Sequence, residues 1–452
     1  MPSRAVSRRH VVVLGGGAAG EAFCGAFRRL DAEARVTLVE SKLVGGECSY
    51  FACMPSKTLL RAPELLAAAR LAPGAAEALA GPLDSGRVFG WRDQVVDGLD
   101  DSSHERWLAD RDVELVRAEA RVAGPGRLEV AGRGALGFDA LVVATGSSPS
   151  LPDLPGLGGA QAWTTAEATS ASEVPDRLAV VGGGVAGCEL AQLYRRLGAE
   201  VTMLVRGERL LPRLDERAAG LLAGALAAEG IDVRFGAAVE AVELGASGVR
   251  VLVAGDRPVE ASRLLLASGR RPNAHGLGLE VLGARVSPRG IEVDDRLAAA
   301  PGVWAVGDVT GVALLTHVGK YQGRVAAANV AGRAARADYR AIPAVVFTDP
   351  QLAQVGRVEG DGLVSAEWRV DRTARASTYE RPAREGFVRL VADPQRRVLV
   401  GGVAVGPEAG EWLQQVTLAI RAEVPIDAIR DTIQPFPTFS EAVGFAARDL
   451  PL

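Results

Sequence analysis

Residues 11–20 read VVVLGGGAAG, a run of apolar residues followed by the spacing Gly15-x-Gly17-x-x-Gly20. This order predicts a buried strand, a tight turn and the first turn of a helix. The glycines let the backbone approach a pyrophosphate at the helix N-terminus, where amide groups favour negative charge. Glu40 ends the next predicted strand, where an acid accepts hydrogen bonds from a ribose diol. The stretch therefore predicts a site for an adenine dinucleotide.

The same pattern returns later in the chain as Gly182-x-Gly184-x-x-Gly187, again after apolar residues. The strand that follows ends in Arg206 rather than in an acid, and Arg209 comes three residues later. Guanidinium groups bind a 2′-phosphate well, whereas a carboxylate would repel it. We therefore predict NADPH at this second site, with NADH as the alternative if the arginines only face water.

Two nucleotide units followed by a third region without a glycine fingerprint predict an α/β fold of three parts. We place two Rossmann-like domains at residues 1–152 with 277–336 and at residues 153–276. Residues 337–452 alternate short strands with a helical segment and predict an α+β domain. Such a domain is more typical of assembly than of cofactor binding.

Composition excludes several classes of protein. The 452 residues carry a net charge of −4, which provides no electrostatic attraction to nucleic acid or to an anionic membrane. No apolar run is long enough to predict a membrane span. Four cysteines in a chain of this length do not form a disulfide framework, so a reducing, cytoplasmic location is expected.

Residues 45–57 read GGECSYFACMPSK and place Cys48 five positions before Cys53. Two thiols on one helical turn could close a strained bridge that is easy to reduce. A helix N-terminus and the absence of acids after Glu47 are expected to favour the thiolate. Half of a zinc site and two buried thiols are the alternatives. Zinc would need two more ligands, which no cluster of Cys and His offers, so no metal site is predicted.

The order of these motifs resembles the flavoprotein disulfide reductases, which include dihydrolipoamide dehydrogenase, glutathione reductase and mercuric reductase. The resemblance implies FAD in the first unit, NAD(P)H in the second, and a redox-active pair in which Cys53 lies next to the flavin and Cys48 attacks the substrate. It also implies a homodimer whose active site is shared between the subunits.

The resemblance assigns further residues to the site. Lys57 is expected to pair with Glu189 and to stabilise the reduced flavin by its positive charge. Arg270 is assigned to the NAD(P)H site. The residues expected to contact FAD later in the chain are Thr145, Gly146, Gly307, Asp308 and His317.

The C-terminus departs from the family. Members that act on thiols carry His-Pro-Thr-x-x-Glu, and this chain has Phe436 in place of the histidine while Glu441 is kept. Phenylalanine cannot titrate, and losing a general acid–base typically costs about two to four powers of ten in rate. Glu441, water or the substrate would then have to manage the protons.

These features leave several functions open. The first is a relay through Cys48 and Cys53 to a disulfide or another thiol-reactive substrate. The second is direct transfer from the flavin to a quinone. The third is reduction of a metal ion as in mercuric reductase, although the chain lacks the C-terminal cysteine pair of that enzyme. A non-catalytic redox sensor is disfavoured by the intact cysteine pair together with Lys57 and Glu189.

Overall fold

The computed structural model of the protein describes residues 8–245, 248–379 and 386–452. The chain forms two compact units. Unit 1 comprises the described parts of Met1–Pro55, Asp93–Ser150 and Gly269–Asp338, and unit 2 those of Ser56–Arg92, Leu151–Ser268 and Tyr339–Leu452. Residues 1–7 of the predicted first domain lie outside the described residues, and the predicted domain boundaries stay a proposal.

Unit 1 is built around a mainly parallel sheet with the first fingerprint at its centre. The apolar run forms the strand His10–Leu14, which pairs in parallel with its neighbours on both sides. Within this sheet, only the edge strand Ala298–Ala300 is antiparallel to its neighbour. In spatial order the strands are Ala298–Ala300, Val303–Ala305, Ala140–Val143, His10–Leu14, Arg35–Glu40 and Val113–Arg117.

Smaller elements and the helices complete unit 1. The strands Ser147–Pro149 and Arg270–Pro272 pair antiparallel. The remaining strands are Ala120–Gly124, Arg127–Val130 and Gly134–Gly137, which form one antiparallel sheet, and the pair Val286–Ser287 and Gly290–Ile291. The helices are Ala18–Leu30, Gly46–Tyr50, Ser102–Ala109 and Thr316–Val330.

Two helices of unit 1 pack unusually closely. A Cβ atom on Gly323 would lie 2.7 Å from the carbonyl oxygen of Ala19 and 2.8 Å from the amide nitrogen of Phe23. The helix Thr316–Val330 therefore approaches the first helix backbone to backbone, because glycine leaves room that any side chain would fill. This contact fixes the start of Thr316–Val330 relative to the first fingerprint.

The first part of unit 2 repeats the parallel arrangement. Its strands, in spatial order, are Asp232–Phe235, Glu200–Val205, Arg177–Val181 and Arg263–Leu266. A separate antiparallel sheet contains Val239–Gly245, Gly248–Val253 and Val259–Ala261. The helices with most of their residues in this part are Cys53–Ala69, Ser85–Val95, Thr165–Ser170, Val185–Leu197 and Glu216–Ala228.

The C-terminal part of unit 2 is an antiparallel sheet with helices, which confirms the predicted α+β character. Its strands, in spatial order, are Pro343–Val346, Gln351–Gly356, Val398–Gly406, Phe387–Asp393 and Val364–Arg369. Its helices are Ala409–Trp412, Gln414–Arg421, Ile426–Asp431 and Glu441–Arg448. Across the described residues, every helix is too short or too polar to cross a membrane.

Candidate active site

The first fingerprint forms a glycine-lined cradle. Gly15 has φ +103°, and a Cβ atom there would lie 2.3 Å from the carbonyl oxygen of Ala144. A Cβ atom on Gly20 would lie 2.1 Å from the carbonyl oxygen of Gly15. At Gly17 the nearest atom would be the Cα of Gly46, 4.0 Å away. Packing therefore requires glycine at Gly15 and at Gly20. Gly17 instead leaves open space at the helix start, and this space fits a pyrophosphate.

Glu40 is held in place beside this cradle. Its Oε2 accepts a hydrogen bond of 2.7 Å from the backbone N–H of Gly16, and its Oε1 accepts one of 2.7 Å from the backbone N–H of Lys42. Each carboxylate oxygen can accept a second hydrogen bond. The oriented carboxylate therefore fits a ribose diol, as the sequence predicts.

Thr145 and Gly146 are tied to Asn273, a residue that the sequence analysis did not single out. Thr145 Oγ1 donates to the carbonyl oxygen of Asn273 at 2.8 Å, and Asn273 Nδ2 donates to that of Thr145 at 2.9 Å. The backbone N–H of Asn273 also donates to the carbonyl oxygen of Gly146 at 2.9 Å. These hydrogen bonds join the loop that contains Thr145 and Gly146 to the loop that contains Asn273. The three residues therefore hold the backbone of both loops in place.

Asp308 is partly buried and hydrogen-bonded. Burial raises the pKa of its carboxyl group, against the lowering effects of a 2.6 Å hydrogen bond from Ser147 Oγ and of the Arg270 charge. Gly307, with φ +83°, donates its N–H to Gln322 Oε1 at 2.6 Å. His317, the second residue of the helix Thr316–Val330, is exposed.

The two cysteines lie on different helices, which corrects the expectation that they share a helical turn. Cys48 belongs to Gly46–Tyr50, which ends at Phe51, and Cys53 begins Cys53–Ala69. Both are free thiols. Cys53 Sγ lies 3.4 Å from the hydroxyl of Thr316, at the start of Thr316–Val330. Thr316 was missed from the sequence, because only the fold brings it to the cysteines.

The expectation that the site favours a thiolate is wrong for Cys48 in the dithiol. A hydrogen bond with Cys53 and burial both raise the pKa of the Cys48 thiol. The Thr316 hydroxyl and the Lys320 charge oppose this rise without cancelling it.

Arg270 is held by Ser147 and Glu47. It lies in unit 1, where its Nε donates to Ser147 Oγ at 2.8 Å and its Nη2 donates to the Ser147 carbonyl at 2.7 Å and to the carboxylate of Glu47. The guanidinium charge is thus matched by Glu47 on the cysteine segment. The strand pairing of Arg270–Pro272 with Ser147–Pro149 explains these contacts, and the assignment of Arg270 to NAD(P)H stays a prediction.

The second fingerprint in unit 2 has the same geometry as the first. Gly182 has φ +122°, and its Cβ would lie 2.3 Å from the carbonyl oxygen of Ala267. A Cβ atom on Gly187 would lie 2.2 Å from the carbonyl oxygen of Gly182. Gly184 has open space around it. This turn therefore fits a second dinucleotide.

The two arginines beyond this turn differ. Arg206 is exposed and makes no hydrogen bond or ion pair with any described residue. Arg209 donates to the carbonyl oxygens of Leu214 and Pro212, at 2.9 Å each. The Arg209 guanidinium thus stabilises its own loop, and its contact with a 2′-phosphate stays a prediction. Of the two arginines, only Arg206 has a guanidinium without a hydrogen-bond or ion-pair partner among the described residues.

Lys57 and Glu189 meet in unit 2. Lys57 Nζ lies 2.6 Å from Glu189 Oε2, and the backbone N–H of Phe347 donates to Glu189 Oε1 at 2.9 Å. The ammonium group also lies 4.8 Å from the centre of the Phe347 ring. The carboxylate is buried and has partners on both oxygens, as a buried charge requires.

The C-terminal motif is exposed at its first residue. Phe436 has 75% of its surface accessible. Glu441 begins the last helix, and its Oε2 accepts a hydrogen bond of 3.1 Å from the Thr438 N–H. Within the described residues, Glu441 therefore orders its own turn.

Two glycine-turn nucleotide units, a dithiol pair and an α+β C-terminal region define a flavin- and pyridine-nucleotide-dependent oxidoreductase. Residues 9–335 match the family model of the pyridine nucleotide-disulphide oxidoreductases, and residues 342–447 match the dimerisation domain of that family. The chain belongs to this family of enzymes, which use FAD and NAD(P)H. The predicted family, fold class, enzyme class and cofactors are confirmed.

Relatives of known function are similar over nearly the whole chain. A dihydrolipoyl dehydrogenase of Thermus scotoductus is 36% identical, covering 97% of this chain and 97% of the relative. A mercuric reductase of Acidithiobacillus ferrooxidans is 34% identical, covering 97% of this chain and 82% of the relative. Similarity to two different enzymes identifies the family but no substrate.

Solved structures are similar as well. The crystal structure of LpdA from Mycobacterium tuberculosis has a TM-score of 0.88 at 28% identity, covering 97% of this chain and 99% of that one. The Cu(II) complex of the HOCl-induced flavoprotein disulfide reductase RclA from Escherichia coli has a TM-score of 0.84 at 26% identity, with coverage of 97% and 99%.

Proposed function

We propose that this protein is an NADPH-dependent reductase of small disulfides or other thiol-reactive substrates, and that electrons leave it through Cys48 and Cys53. The observation that carries the proposal is the pair of free thiols that hydrogen-bond to each other, with Thr316 at 3.4 Å from Cys53 Sγ. Bound FAD would supply two-electron chemistry between NADPH and the cysteine pair.

The nucleotide sites of the proposal follow from the two cradles. We assign FAD to Gly15, Gly17, Gly20, Glu40, Thr145, Gly146, Gly307, Asp308 and His317. We assign NADPH to Gly182, Gly184, Gly187 and Arg206, and the assignment of Arg209 and Arg270 to the same site stays a prediction. Preference for NADPH over NADH is supported by Arg206, an exposed guanidinium without a partner among the described residues.

Other roles are proposed from the family resemblance. Lys57, held by Glu189, would stabilise the reduced flavin, and Glu441 would order the C-terminal turn. The matching dimerisation domain supports a homodimer, for which we propose an active site shared between subunits and a cytoplasmic location.

The cysteine variants Cys48→Ser and Cys53→Ser test the relay. We expect NADPH-dependent reduction of a small disulfide to fall by at least about 10³-fold in both, because removing a catalytic nucleophile removes the reaction path. Reduction of a quinone directly from the flavin should persist. Met54→Leu, next to Cys53, is the matched control. Full disulfide turnover in both cysteine variants would refute the relay.

A second candidate function is direct reduction of a quinone or of a thiophilic metal ion. Phe436, which cannot transfer protons, favours acceptors that need no thiol acid–base. The same variants separate the candidates. A quinone reductase keeps its activity without the cysteines, whereas reduction of a metal held by thiolates loses it together with metal binding.

A further inference from the structure

Unit 1 contains a groove of ≈ 500 Å³ next to the first fingerprint. It is formed by residues of the helices Ala18–Leu30, Ser102–Ala109 and Thr316–Val330. Its ionisable lining residues are Glu21, Arg29, His104, Lys320 and Arg324. A groove that combines apolar walls with a few ionisable side chains has the character of a small-molecule site.

His104 and Glu21 form a hydrogen-bonded pair in this groove. His104 Nδ1 lies 2.6 Å from Glu21 Oε1, with 28% and 17% of the two side chains exposed. Burial raises the pKa of the Glu21 carboxyl, while the hydrogen bond from His104 and the charges of His104 and Lys320 lower it. Since Nδ1 is engaged by the carboxylate, the tautomer and orientation of the imidazole are defined.

The other ring nitrogen of His104 points to the cysteine segment. Nε2 has no hydrogen-bond partner among the described residues. It lies 2.8 Å from the position that a Cβ atom of Gly45 would occupy, and Gly45 has φ +99°. Glycine at this position therefore leaves the space that the imidazole uses. Gly45 precedes Cys48 by three residues, which is about one helical turn.

A second connection runs along the helix Thr316–Val330. Thr316 contacts Cys53 Sγ at 3.4 Å, and Lys320 lines the groove one turn later. Residues four apart on a helix lie on the same face. The Lys320 charge acts on both the Cys48 thiol and the Glu21 carboxyl. The groove and the cysteine pair thus adjoin each other within unit 1.

We propose that His104, positioned by Glu21, is the acid–base group of this chain for thiol–disulfide exchange at Cys48, in place of the histidine that Phe436 replaces. The inference rests on the proposed disulfide reductase function. It names the substrate class as a small disulfide that enters the groove, and it makes His104 a catalytic residue and Glu21 a positioning residue.

The proposed thiol–disulfide exchange has two steps, and His104 carries one proton in each. His104 Nε2 takes the proton of the Cys48 thiol, and the Cys48 sulfur attacks one sulfur of the substrate disulfide. The bond between the two substrate sulfurs breaks, the leaving thiolate takes the proton from His104, and a mixed disulfide remains on Cys48. The Cys53 thiol then loses its proton to His104 and attacks the Cys48 sulfur. The second substrate thiol leaves with that proton, and the Cys48–Cys53 disulfide is formed.

The test compares two disulfides with the FAD-loaded enzyme. Bis(hydroxyethyl) disulfide releases a basic thiolate that needs a proton, whereas dithiobis(nitrobenzoate) releases a thiolate that is stable without one. We expect His104→Gln and Glu21→Gln to lower kcat for the first by about 10²-fold or more and for the second by only about 10-fold, because both need deprotonation of Cys48 but only the first needs a proton on the leaving thiolate. KM should change little. Turnover of ferricyanide, which needs no thiol exchange, reports correct folding and FAD loading.

Two readouts separate proton transfer from a structural role. In the reduced protein at pH 7, alkylation of Cys48 by iodoacetamide should slow by about 10-fold in His104→Gln, since the base is lost. In His104→Gly, added imidazole should restore part of the turnover of bis(hydroxyethyl) disulfide. His275→Gln, at an exposed histidine outside the groove, is the control and should behave as wild type.

Equal losses on the two disulfides, or no loss on either, would overturn the proposal for His104. Cys48→Ser distinguishes this failure from that of the proposed function. If Cys48→Ser abolishes disulfide turnover while His104→Gln retains it, only the role of His104 is wrong. If Cys48→Ser retains disulfide turnover, the relay itself is wrong and the inference fails with it.

Discussion

Lys57 Nζ lies 2.6 Å from Glu189 Oε2, a contact that joins the helix Cys53–Ala69 to the helix Val185–Leu197 within unit 2. Only 4% of the Glu189 side chain is exposed, whereas Lys57 keeps 34% of its side chain accessible. The carboxylate therefore depends on its partners more than the ammonium does, because an uncompensated buried charge is unstable.

Replacing Lys57 should accordingly destabilise unit 2. We expect Lys57→Met to lower the free energy of unfolding by about 2 kcal/mol, below the usual cost for a fully buried pair because Lys57 is partly solvated. Urea unfolding followed by tryptophan fluorescence measures the loss. Arg61→Met, which breaks an exposed pair with Glu64 on the same helix, should cost less than about 1 kcal/mol. Equal losses in the two variants would contradict the burial argument.

Alanine at Gly15 and alanine at Gly17 in the first fingerprint should have different effects. Gly15→Ala should destabilise the apoprotein by about 1–2 kcal/mol or more, because alanine at φ +103° is strained and its Cβ would meet the Ala144 carbonyl. Gly17→Ala should leave apoprotein stability unchanged but lose FAD, because its Cβ fills the cradle. Thermal unfolding of the apoprotein and the flavin-to-protein absorbance ratio measure the two effects.

Gly124→Ala, at a glycine with open space in unit 1, is the control for both measurements. Normal FAD content in Gly17→Ala would show that the cradle does not hold the pyrophosphate.

Arg206 and Arg209 should affect coenzyme use differently. Arg206→Ala should lower kcat/KM for NADPH by about 10-fold or more and leave that for NADH unchanged, because a charged hydrogen bond to the 2′-phosphate is lost. Arg209→Ala should affect both coenzymes alike, because it loosens the loop whose carbonyls it binds. Steady-state kinetics with both coenzymes decide this. A wild-type preference for NADH would end the NADPH assignment.

Asp308 predicts a pH-dependent gain in stability. Burial raises the pKa of this carboxyl in the folded protein above its usual value of 3.8, so ionisation destabilises the fold. The cost is absent below the unfolded pKa and grows as the pH rises through the folded pKa. Asp308→Asn should therefore stabilise the apoprotein at neutral pH but not at pH 3.5, and it should reduce FAD content.

Thermal unfolding of the apoproteins across this pH range tests the sign. Ser147→Ala removes the 2.6 Å hydrogen bond to Asp308 and should act in the opposite direction. A pH-independent difference between Asp308→Asn and wild type would exclude titration of Asp308 as the cause.

Two apolar side chains in the dimerisation domain predict the subunit contact. Ile433 and Phe436 are 94% and 75% exposed, and exposed apolar patches mark interaction surfaces. We expect Ile433→Asp with Phe436→Asp to raise the dimer dissociation constant by about 100-fold, since central apolar contacts dominate interface energies. Sedimentation velocity measures it. Leu244→Asp, at a residue 69% exposed in the preceding part of unit 2, should leave the dimer intact.

Local sequence patterns predicted much of the fold. The strand His10–Leu14, the glycine turn and Glu40 could be placed because strand, turn and helix are specified by neighbouring residues. The Lys57–Glu189 contact was anticipated only through the family resemblance. The pairing of Arg270 with Glu47 had no local signal, since it depends on the strand Arg270–Pro272 pairing with the distant strand Ser147–Pro149.

The sequence by itself determined the two nucleotide cradles, because each depends on glycines at fixed spacing within one strand-turn-helix segment. It also determined that the usual histidine is absent, as Phe436 shows directly. Only the tertiary structure decided which groups lie near the cysteine segment and in the groove beside it. Thr316, His104 and Glu21 are far apart in sequence, and the close packing of the helix Thr316–Val330 on Ala19 and Phe23 brings their helices together. Contacts of this kind have no local pattern, so no stretch of sequence could predict them.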